Sequence, residues 1–406
     1  MPRSRRAGAS GALALALGAA LLLTGCTPSP EPTPTPTLPA PSGDGVLRIG
    51  TLFSTSGPGS ASAPGETAGV HAAVRAVNAA GGVDGVPVEV LSRDGGTAGD
   101  GAAEAAFAEL VERGADVVIG PSTMEVAALL TGPAREAGVP LVTSSARGPR
   151  PEGSADVLFR VVGSARAEGL ALAADLAAAG AASVAVVRAD DPATRELAAG
   201  LAEGLAAAET EPIDIVAGAD PAADAQQASV ADAVVVATGS AGEATTALLS
   251  ALHAAGVPSG ALWLVDGALT RYDAGGALSG AHGIRGGVGI DPALAAAIRQ
   301  EDPGARTHYA GEAYDAAVLV ALAAVVAGDD GGASIAAALP YVAGDGIACA
   351  SFGECLAVLG DRPGIRYAGA TGDLAFGEDS DRVAATFLRY LFDGDDRPVP
   401  VTDPAG

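Results

Sequence analysis

The sequence predicts an α/β fold built from two doubly wound parallel-sheet lobes. Three observations carry that reading. The chain has 406 residues, enough for two bodies at roughly 150 residues each. From residue 46 to residue 265, short apolar runs alternate with helical stretches. The apolar runs have few polar interruptions, as strands covered on both faces require.

The elements follow in order. Val46–Phe53 reads as a strand. Gly65–Ala80 reads as a helix, with Val70, Val74 and Val77 on one face and Gly81-Gly82 as its stop. Val86–Leu91 is a strand. Ala102–Arg113 is a helix that turns Phe107, Leu110 and Val111 inward. Strand Asp116–Ile119, helix Val126–Ala137 and strand Val139–Thr143 complete a first cycle. A second cycle starts with strand Val157–Val162. It continues through helix Arg166–Ala179, strand Ser183–Val187, helix Ala193–Ala208, strand Asp232–Ala237, helix Glu243–Ala255 and strand Ala261–Val265. A long helix, Ala310–Val326, carries Tyr314, Val318, Ala321 and Val325 on one face, and residues 331–340 read as a short helix. Asp373–Phe376 and Arg382–Phe392 read as a β hairpin, with a frayed tail after Asp393. In such sheets a ligand crevice is expected at the carboxyl ends of the strands.

The first 45 residues read as lying outside this body. Arg3, Arg5 and Arg6 precede an apolar run, Ala12 to Leu23, of signal-peptide rather than membrane-span length. Leu23-Thr24-Gly25-Cys26 resembles a bacterial lipobox, in which Cys26 is lipidated and becomes the mature N-terminus; an ordinary signal peptide with a chance cysteine is the alternative. Residues 26–45, with prolines at alternate positions from Pro28 to Pro36, read as a semi-rigid Pro/Thr-rich tether. No later stretch reads as long and apolar enough to span a membrane. Cys349 and Cys355 remain as an even pair, best read as a disulfide in an exported, oxidising setting, with two buried free thiols as the alternative.

Charge and composition exclude several functions. Acidic residues outnumber basic ones 48 to 23, for a net charge of −25. Losing the three arginines of residues 1–25 makes that about −28. No basic field exists to displace counterions from nucleic acid. The basic residues are all arginine, so Walker-A, Schiff-base and pyridoxal-phosphate chemistry lack their lysine. No Gly-x-Gly-x-x-Gly follows a strand, and neither Gly-x-Ser-x-Gly nor His-Glu-x-x-His occurs in the mature chain. His71, His253, His282 and His308 have no metal-ligand spacing. Asp190-Asp191 and Asp329-Asp330 could serve hydrolysis, but they sit where helix caps are expected. No cofactor and no metal are expected.

Three small, hydroxylic loops follow predicted strands: Ser54 to Ser62, Gly120-Pro121-Ser122-Thr123, and Thr143-Ser144-Ser145-Ala146. Hydroxyls beside free helix N-terminal amides suit a carboxylate or another polar acceptor, and generic helix capping is the alternative. Ser56, Ser122, Thr123, Ser144, Ser145 and Ala146 are therefore candidate ligand-binding residues.

Residues 46–146 resemble the N-terminal lobe of the branched-chain amino-acid-binding proteins, the type I periplasmic binding proteins of ABC transporters. The matching stretches are Ile49–Phe53 with Thr55-Ser56-Gly57-Pro58, Val77-Asn78-Ala79-Ala80-Gly81-Gly82-Val83-Asp84-Gly85, Val117–Pro121 and Ala137–Val142. Tyr309–Ala316 and Gly372–Asp381 resemble the family's late helix and closing hairpin. The resemblance implies two lobes joined by a three-strand hinge, with residues 46–163 and 289–382 in the N-lobe and 164–288 and 383–406 in the C-lobe. It also implies a ligand trapped between them, no catalytic activity and an ABC permease as partner, while the lipobox-like stretch at Cys26 implies a lipid anchor on the outer face of the cell membrane.

Carried over position by position, the ligand contacts diverge. Met124 stands where amino-acid binders offer a serine hydroxyl. Arg147 stands near the usual threonine, after Ser145 and Ala146. Ala193-Thr194 replaces a Tyr-Gly pair. Asp266, in Val265-Asp266-Gly267, matches the acid that grips a ligand ammonium, and a turn aspartate before Gly is the plainer alternative. Each lost polar contact is worth roughly 1–3 kcal/mol when its partner is left unpaired in a closed cleft, so the ligand need not be leucine, isoleucine or valine. Arg147 would favour an anionic group if it points inward. The expectation is a lipid-anchored extracytoplasmic solute-binding protein for a small polar ligand. The alternatives are a non-transport sensor or orphan receptor of the same fold, and behind them an acidic secreted hydrolase.

Overall fold

A computed structural model describes residues 37–401, except 58, 207–208, 240–241, 288 and 362–363. The expected signal segment 1–25, the expected lipidation site Cys26, the first part of the tether and residues 402–406 lie outside the described residues.

The first lobe opens with β1 (Arg48–Phe53), α1 (Ala63–Ala79), β2 (Glu89–Asp94), α2 (Ala102–Glu112), β3 (Val117–Ile119), α3 (Met124–Ala137), β4 (Leu141–Thr143) and β5 (Leu158–Arg160). Its sheet runs β2-β1-β3-β4-β5 with every pair parallel. The strand order reverses at β1 and β3, which opens a crevice at their carboxyl ends. The expected second cycle therefore begins one strand later, because β5 pairs with β4 and closes the first sheet.

The second lobe begins with α4 (Ala165–Ala178), β6 (Val184–Arg188), α5 (Pro192–Ala206), β7 (Ile213–Val216), α6 (Pro221–Ala228), β8 (Ala233–Ala237), α7 (Glu243–Ala254), β9 (Leu262–Val265) and β10 (His282–Gly286). The chain then returns to the first lobe with α8 (Pro292–Glu301), α9 (Ala310–Ala327), α10 (Gly332–Val342), β11 (Ile347–Cys349), α11 (Phe352–Asp361), β12 (Ile365–Gly369) and β13 (Gly372–Asp373). It crosses once more to β14 (Phe387–Phe392) and β15 (Pro398–Pro400). The second sheet runs β15-β14-β10-β9-β8-β6-β7, parallel except at β14, which pairs antiparallel with β10 and β15. The chain thus passes between the sheets after β5, after β10 and before β14. At the second and third crossings, the Gly287 amide donates to the Thr386 carbonyl at 3.1 Å.

Each lobe is held by apolar layers on both sheet faces. Val117, Ile119, Val142 and Phe159 meet Val318, Leu322 and Leu339 on one face of the first sheet. Leu110, Val118, Leu130 and Leu158 fill the other. Burying each such aliphatic side chain contributes about 1.5–3 kcal/mol. In the second lobe α4 and α5 cross at Gly169 and Gly200. A Cβ on Gly169 would lie 2.1 Å from the Leu197 carbonyl oxygen, and one on Gly200 would lie 2.1 Å from that of Arg166. The helices therefore touch backbone to backbone, and α4 is fixed close over the sheet.

Four expectations need correction. The hairpin of 373–376 with 382–392 is reduced to one bridge, Phe376 to Arg382; β13 pairs instead with β12, and β14 joins the second sheet. The described part of the tail after Asp393, residues 394–401, is tied to the second lobe and carries β15. Asp396 is buried and accepts the amides of Ala274, Gly276 and Leu278. The end of the segment expected to be a tether is attached to the body: the Ser42 and Gly43 amides donate to Asp329, and that of Gly45 to Asp330. Finally, Ala310–Ala327 is long and apolar enough to cross a membrane by length and composition, yet 78% of it is buried inside the first lobe. The cysteines form the Cys349–Cys355 disulfide, between the end of β11 and α11.

Candidate functional site

The strand-end loops of the first lobe are held by hydroxyls. The Ser54 amide, just past β1, donates to Ser122 Oγ at 3.1 Å, which joins the two loops at the switch point. Thr143 Oγ1 donates to the Pro121 carbonyl at 2.8 Å and accepts the Ala146 amide at 3.0 Å. Thr123 caps α3 by accepting the Val126 amide. Ser144 Oγ donates to Glu66 Oε1 at 2.7 Å, and Ser62 Oγ lies 2.9 Å from Glu66 Oε2. Burial raises the Glu66 carboxyl, while the hydroxyls of Ser144, Ser145 and Ser62 pull it back. The Ser145 and Ser54 hydroxyls are buried without a hydrogen bond of normal geometry.

Arg147 leaves this loop system and reaches the second lobe. Its backbone carbonyl accepts the Ala165 amide at the start of α4, 2.9 Å away. Ser164 caps that helix, and Glu168 follows on its buried face. Arg147 Nε donates to the Gly163 carbonyl at 3.1 Å, and Nη2 donates to Glu168 Oε2 at 2.5 Å. Its Nη1 lies 3.2 Å from Asp266 Oδ2 and donates to the Tyr309 hydroxyl at 3.4 Å. Tyr309 OH in turn donates to Asp266 Oδ1 at 2.8 Å. Asp266 and Tyr309 both have left-handed backbones, at φ 41° and φ 56°. Their side-chain bond helps hold these uncommon conformations.

The electrostatics follow from burial. The Arg147 and Glu168 side chains are 4% and 0% exposed, that of Asp266 34%. Burial pushes the Glu168 carboxyl up to about 7 against the pull of Arg147. Burial also acts upward on Asp266, but Arg147, His308, Arg285 and Tyr309 outweigh it and hold the carboxyl below its usual range. Arg147 keeps its proton, because its neighbouring anions outweigh its burial. His308 stacks on Tyr309 and is driven by burial to about 3, so it is neutral. Arg285 on β10 donates to the Leu269 and Asp266 carbonyls and lies over the Tyr390 ring at 5.7 Å. On the far side of the Gly286-Gly287 crossing, burial raises Glu312 to about 8, and its Oε1 has no partner.

Of the expected site residues, Arg147 and Asp266 meet directly. Met124 and Ala193 approach either side of Gly148, where an added Cβ would lie 3.5 Å from Met124 Cβ and 3.7 Å from the Ala193 nitrogen. Ala193 is half-buried, and the neighbouring Thr194 spends its hydroxyl on the Ala189 carbonyl within its own turn. Ser122, Ser144, Ser145 and Ala146 are buried in the strand-end loops, Thr123 is half-buried, and Ser56 is exposed. Asp191 caps α5 at the Thr194 amide, and Asp329 and Asp330 bind the 42–45 segment; these acids fix backbone. Sequence spacing misses Glu66, Glu168, Tyr309 and Glu312. The one signal is an acid within the first turn of each of three apolar helices, which capping explains equally well. Two cavities of about 650 and 640 Å³ lie elsewhere. The first is bounded by His71, Asp94 and Glu301, the second by His253, Arg271 and Arg306, and neither is lined by an expected site residue.

The family described as periplasmic binding protein matches residues 46–352, more than half of the chain. This chain belongs to that family. Periplasmic binding proteins of type I share its two doubly wound sheets and three crossings, and solved structures agree. LivJ, the branched-chain amino-acid transporter substrate-binding protein of Streptococcus pneumoniae solved with isoleucine, is 23% identical, with a TM-score of 0.66 over 88% of this chain and 100% of that one. An ABC-transporter solute-binding protein of R. palustris solved with 4-hydroxybenzoate is 17% identical, with a TM-score of 0.66 over 88% and 96%. LivK, a leucine-binding protein of Thermotoga maritima, is 17% identical, with a TM-score of 0.65 over 88% and 98%. At these identities the likeness shows the fold. No curated protein sequence matches the chain.

Proposed function

We propose that this periplasmic binding protein is the extracytoplasmic solute-binding lipoprotein of an ABC importer. It would hold a small polar ligand, an amino acid or a related amide or carboxylate, between its lobes and present it to the permease, without catalysing a reaction. Residues 1–25 would be the signal peptide and Cys26 the lipidated N-terminus. Residues 26–45 would be the tether, 46–163 with 289–382 the N-lobe, and 164–288 with 383–406 the C-lobe. The observation that supports this most is the meeting of polar side chains from both lobes, Arg147 and Tyr309 against Glu168 and Asp266, with Arg147 and Asp266 in loops at strand carboxyl ends. A ligand drives closure only by its differential affinity for the closed state.

Calorimetric titration of the full-length chain in detergent with amino acids, amides and small carboxylates tests the reading. A saturable ligand is expected, together with a thermal shift that follows RT ln(1 + [L]/Kd). Turnover of a panel member would overturn it. Membrane fractionation of the Cys26→Ser variant tests the anchor, and release into the soluble exported fraction is expected. A second reading, a sensor or orphan receptor of the same fold, draws on the same cluster: the lobes already bridge through their own side chains. Absence of any ligand across the panel would favour it.

A further inference from the structure

The contacts between the lobes contain two carboxylates and the cation that answers them. Arg147 comes from the first lobe, and Glu168 and Asp266 come from the second. Tyr309, again from the first lobe, holds the other oxygen of Asp266. A ligand ammonium entering here would need a carboxylate with uncommitted charge, and both are committed to a buried guanidinium. Displacing that guanidinium would leave it buried without its anions, which is costlier than leaving a neutral group unpaired.

The opposite exchange has a route. Glu168 holds Arg147 through Oε2 alone, while its Oε1 is fully buried and without a hydrogen-bond partner. The groups facing it are Arg147 from the loop after β4, Asp266 after β9 and Arg285 on β10; His308 and Tyr309 lie beyond Asp266 at the start of α9. Burial already brings Glu168 to about 7, so a small push protonates it. A ligand carboxylate arriving at Arg147 supplies that push and replaces the charge that Glu168 gives up.

We infer that Arg147 is the specificity-determining residue of the crevice: the ligand carries a carboxylate and no cationic group, and its carboxylate takes the place of Glu168 on Arg147. The inference rests on the reading that a solute binds between the lobes. For each carboxylate bound, Glu168 takes up to one proton from solvent or buffer, which forms the O–H bond of its carboxyl; no other covalent bond is made or broken.

Two sets of ligands, each sharing an apolar group but differing in charge, provide the test. The full-length chain in detergent is titrated at pH 7.5 with 4-methylpentanoate, leucine and 3-methylbutylamine, and with 4-hydroxybenzoate and tyramine. At least one carboxylate is expected to bind ten times more tightly than its amine-bearing counterparts. Its binding enthalpy is expected to differ between phosphate and Tris buffers as uptake of a proton requires. Arg147→Met should abolish that preference. If the variant does not fold, proton uptake by the unaltered chain still decides the matter. Tighter binding of leucine or an amine, or carboxylate binding without proton uptake, overturns the inference and leaves solute binding standing. Failure of every compound to bind at millimolar concentration overturns both.

Discussion

The Arg147 guanidinium of the first lobe and the Asp266 carboxylate of the second approach to 3.2 Å across the crevice. Glu168 holds the other arm of the same guanidinium at 2.5 Å. One side chain thus satisfies two acids on separate elements, the start of α4 and the turn after β9. The contact between the lobes therefore depends on an arginine that the chain supplies itself.

Arg147→Ala should destabilise the protein by about 3–5 kcal/mol, because it leaves Glu168 buried and without its cation. Adding Glu168→Gln should recover a large part of the loss, since a neutral amide costs less to bury. Urea unfolding of the single and double variants measures this. Simple additivity of the two effects would show that the residues do not act as a pair.

Glu312 makes stability depend on pH. Its folded carboxyl titrates at about 8 against an ordinary 4.5, so the folded state binds more protons than the unfolded state between those values. Stability from this group is complete below about 4.5 and is lost as pH rises towards 8, by up to about 1.4 kcal/mol per unit. Glu168 and Asp116, both near 7, act in the same sense up to that pH. His308 acts oppositely, because its folded value is depressed to about 3: its contribution is lost as pH falls below about 6.5. Between about 6.5 and 8 the urea midpoint should therefore fall. Glu312→Gln should flatten that fall and raise stability at pH 8; an unchanged profile would place the titration elsewhere.

Gly169→Ala tests the helix crossing that places Glu168. Alanine improves an exposed helix position by up to about 1 kcal/mol over glycine. Here its Cβ would meet the Leu197 carbonyl at 2.1 Å, and overpacking costs about 1–3 kcal/mol. A net loss in thermal stability is expected. A gain would mean that α4 and α5 can separate without penalty.

The Cys349–Cys355 disulfide spans six positions, a small loop. By loop-closure entropy it contributes about 2 kcal/mol. The Cys349→Ser, Cys355→Ser double variant should lose that amount in urea titration, and the unaltered protein should lose it under reductant. Equal stability with and without reductant would remove the disulfide from the stabilising interactions.

Much of the architecture was legible. Short, valine-rich apolar runs such as Val117–Ile119 and Val184–Val187 read as strands covered on both faces. Weaker elements were not. Strand Ile213–Val216 alternates an aspartate into a short edge, and helix Pro221–Ala228 buries only two alanines and Asp224, so neither shows an apolar period. The expected hairpin at 373–392 failed because the pairing of Phe387–Phe392 is chosen by a strand a hundred residues earlier, β10.

By itself the sequence determined the α/β class, the run of strands and helices through the two lobes, the family, and the positions of Arg147 and Asp266 at strand carboxyl ends. Local periodicity and turn chemistry suffice for those, since they act between residues a few positions apart. Only the tertiary structure decided that Arg147 points across the crevice, that Glu168 and Tyr309 complete its shell, and that Asp266 is already paired. Those facts depend on side chains up to 162 positions apart in the chain, and on burial that no local pattern records.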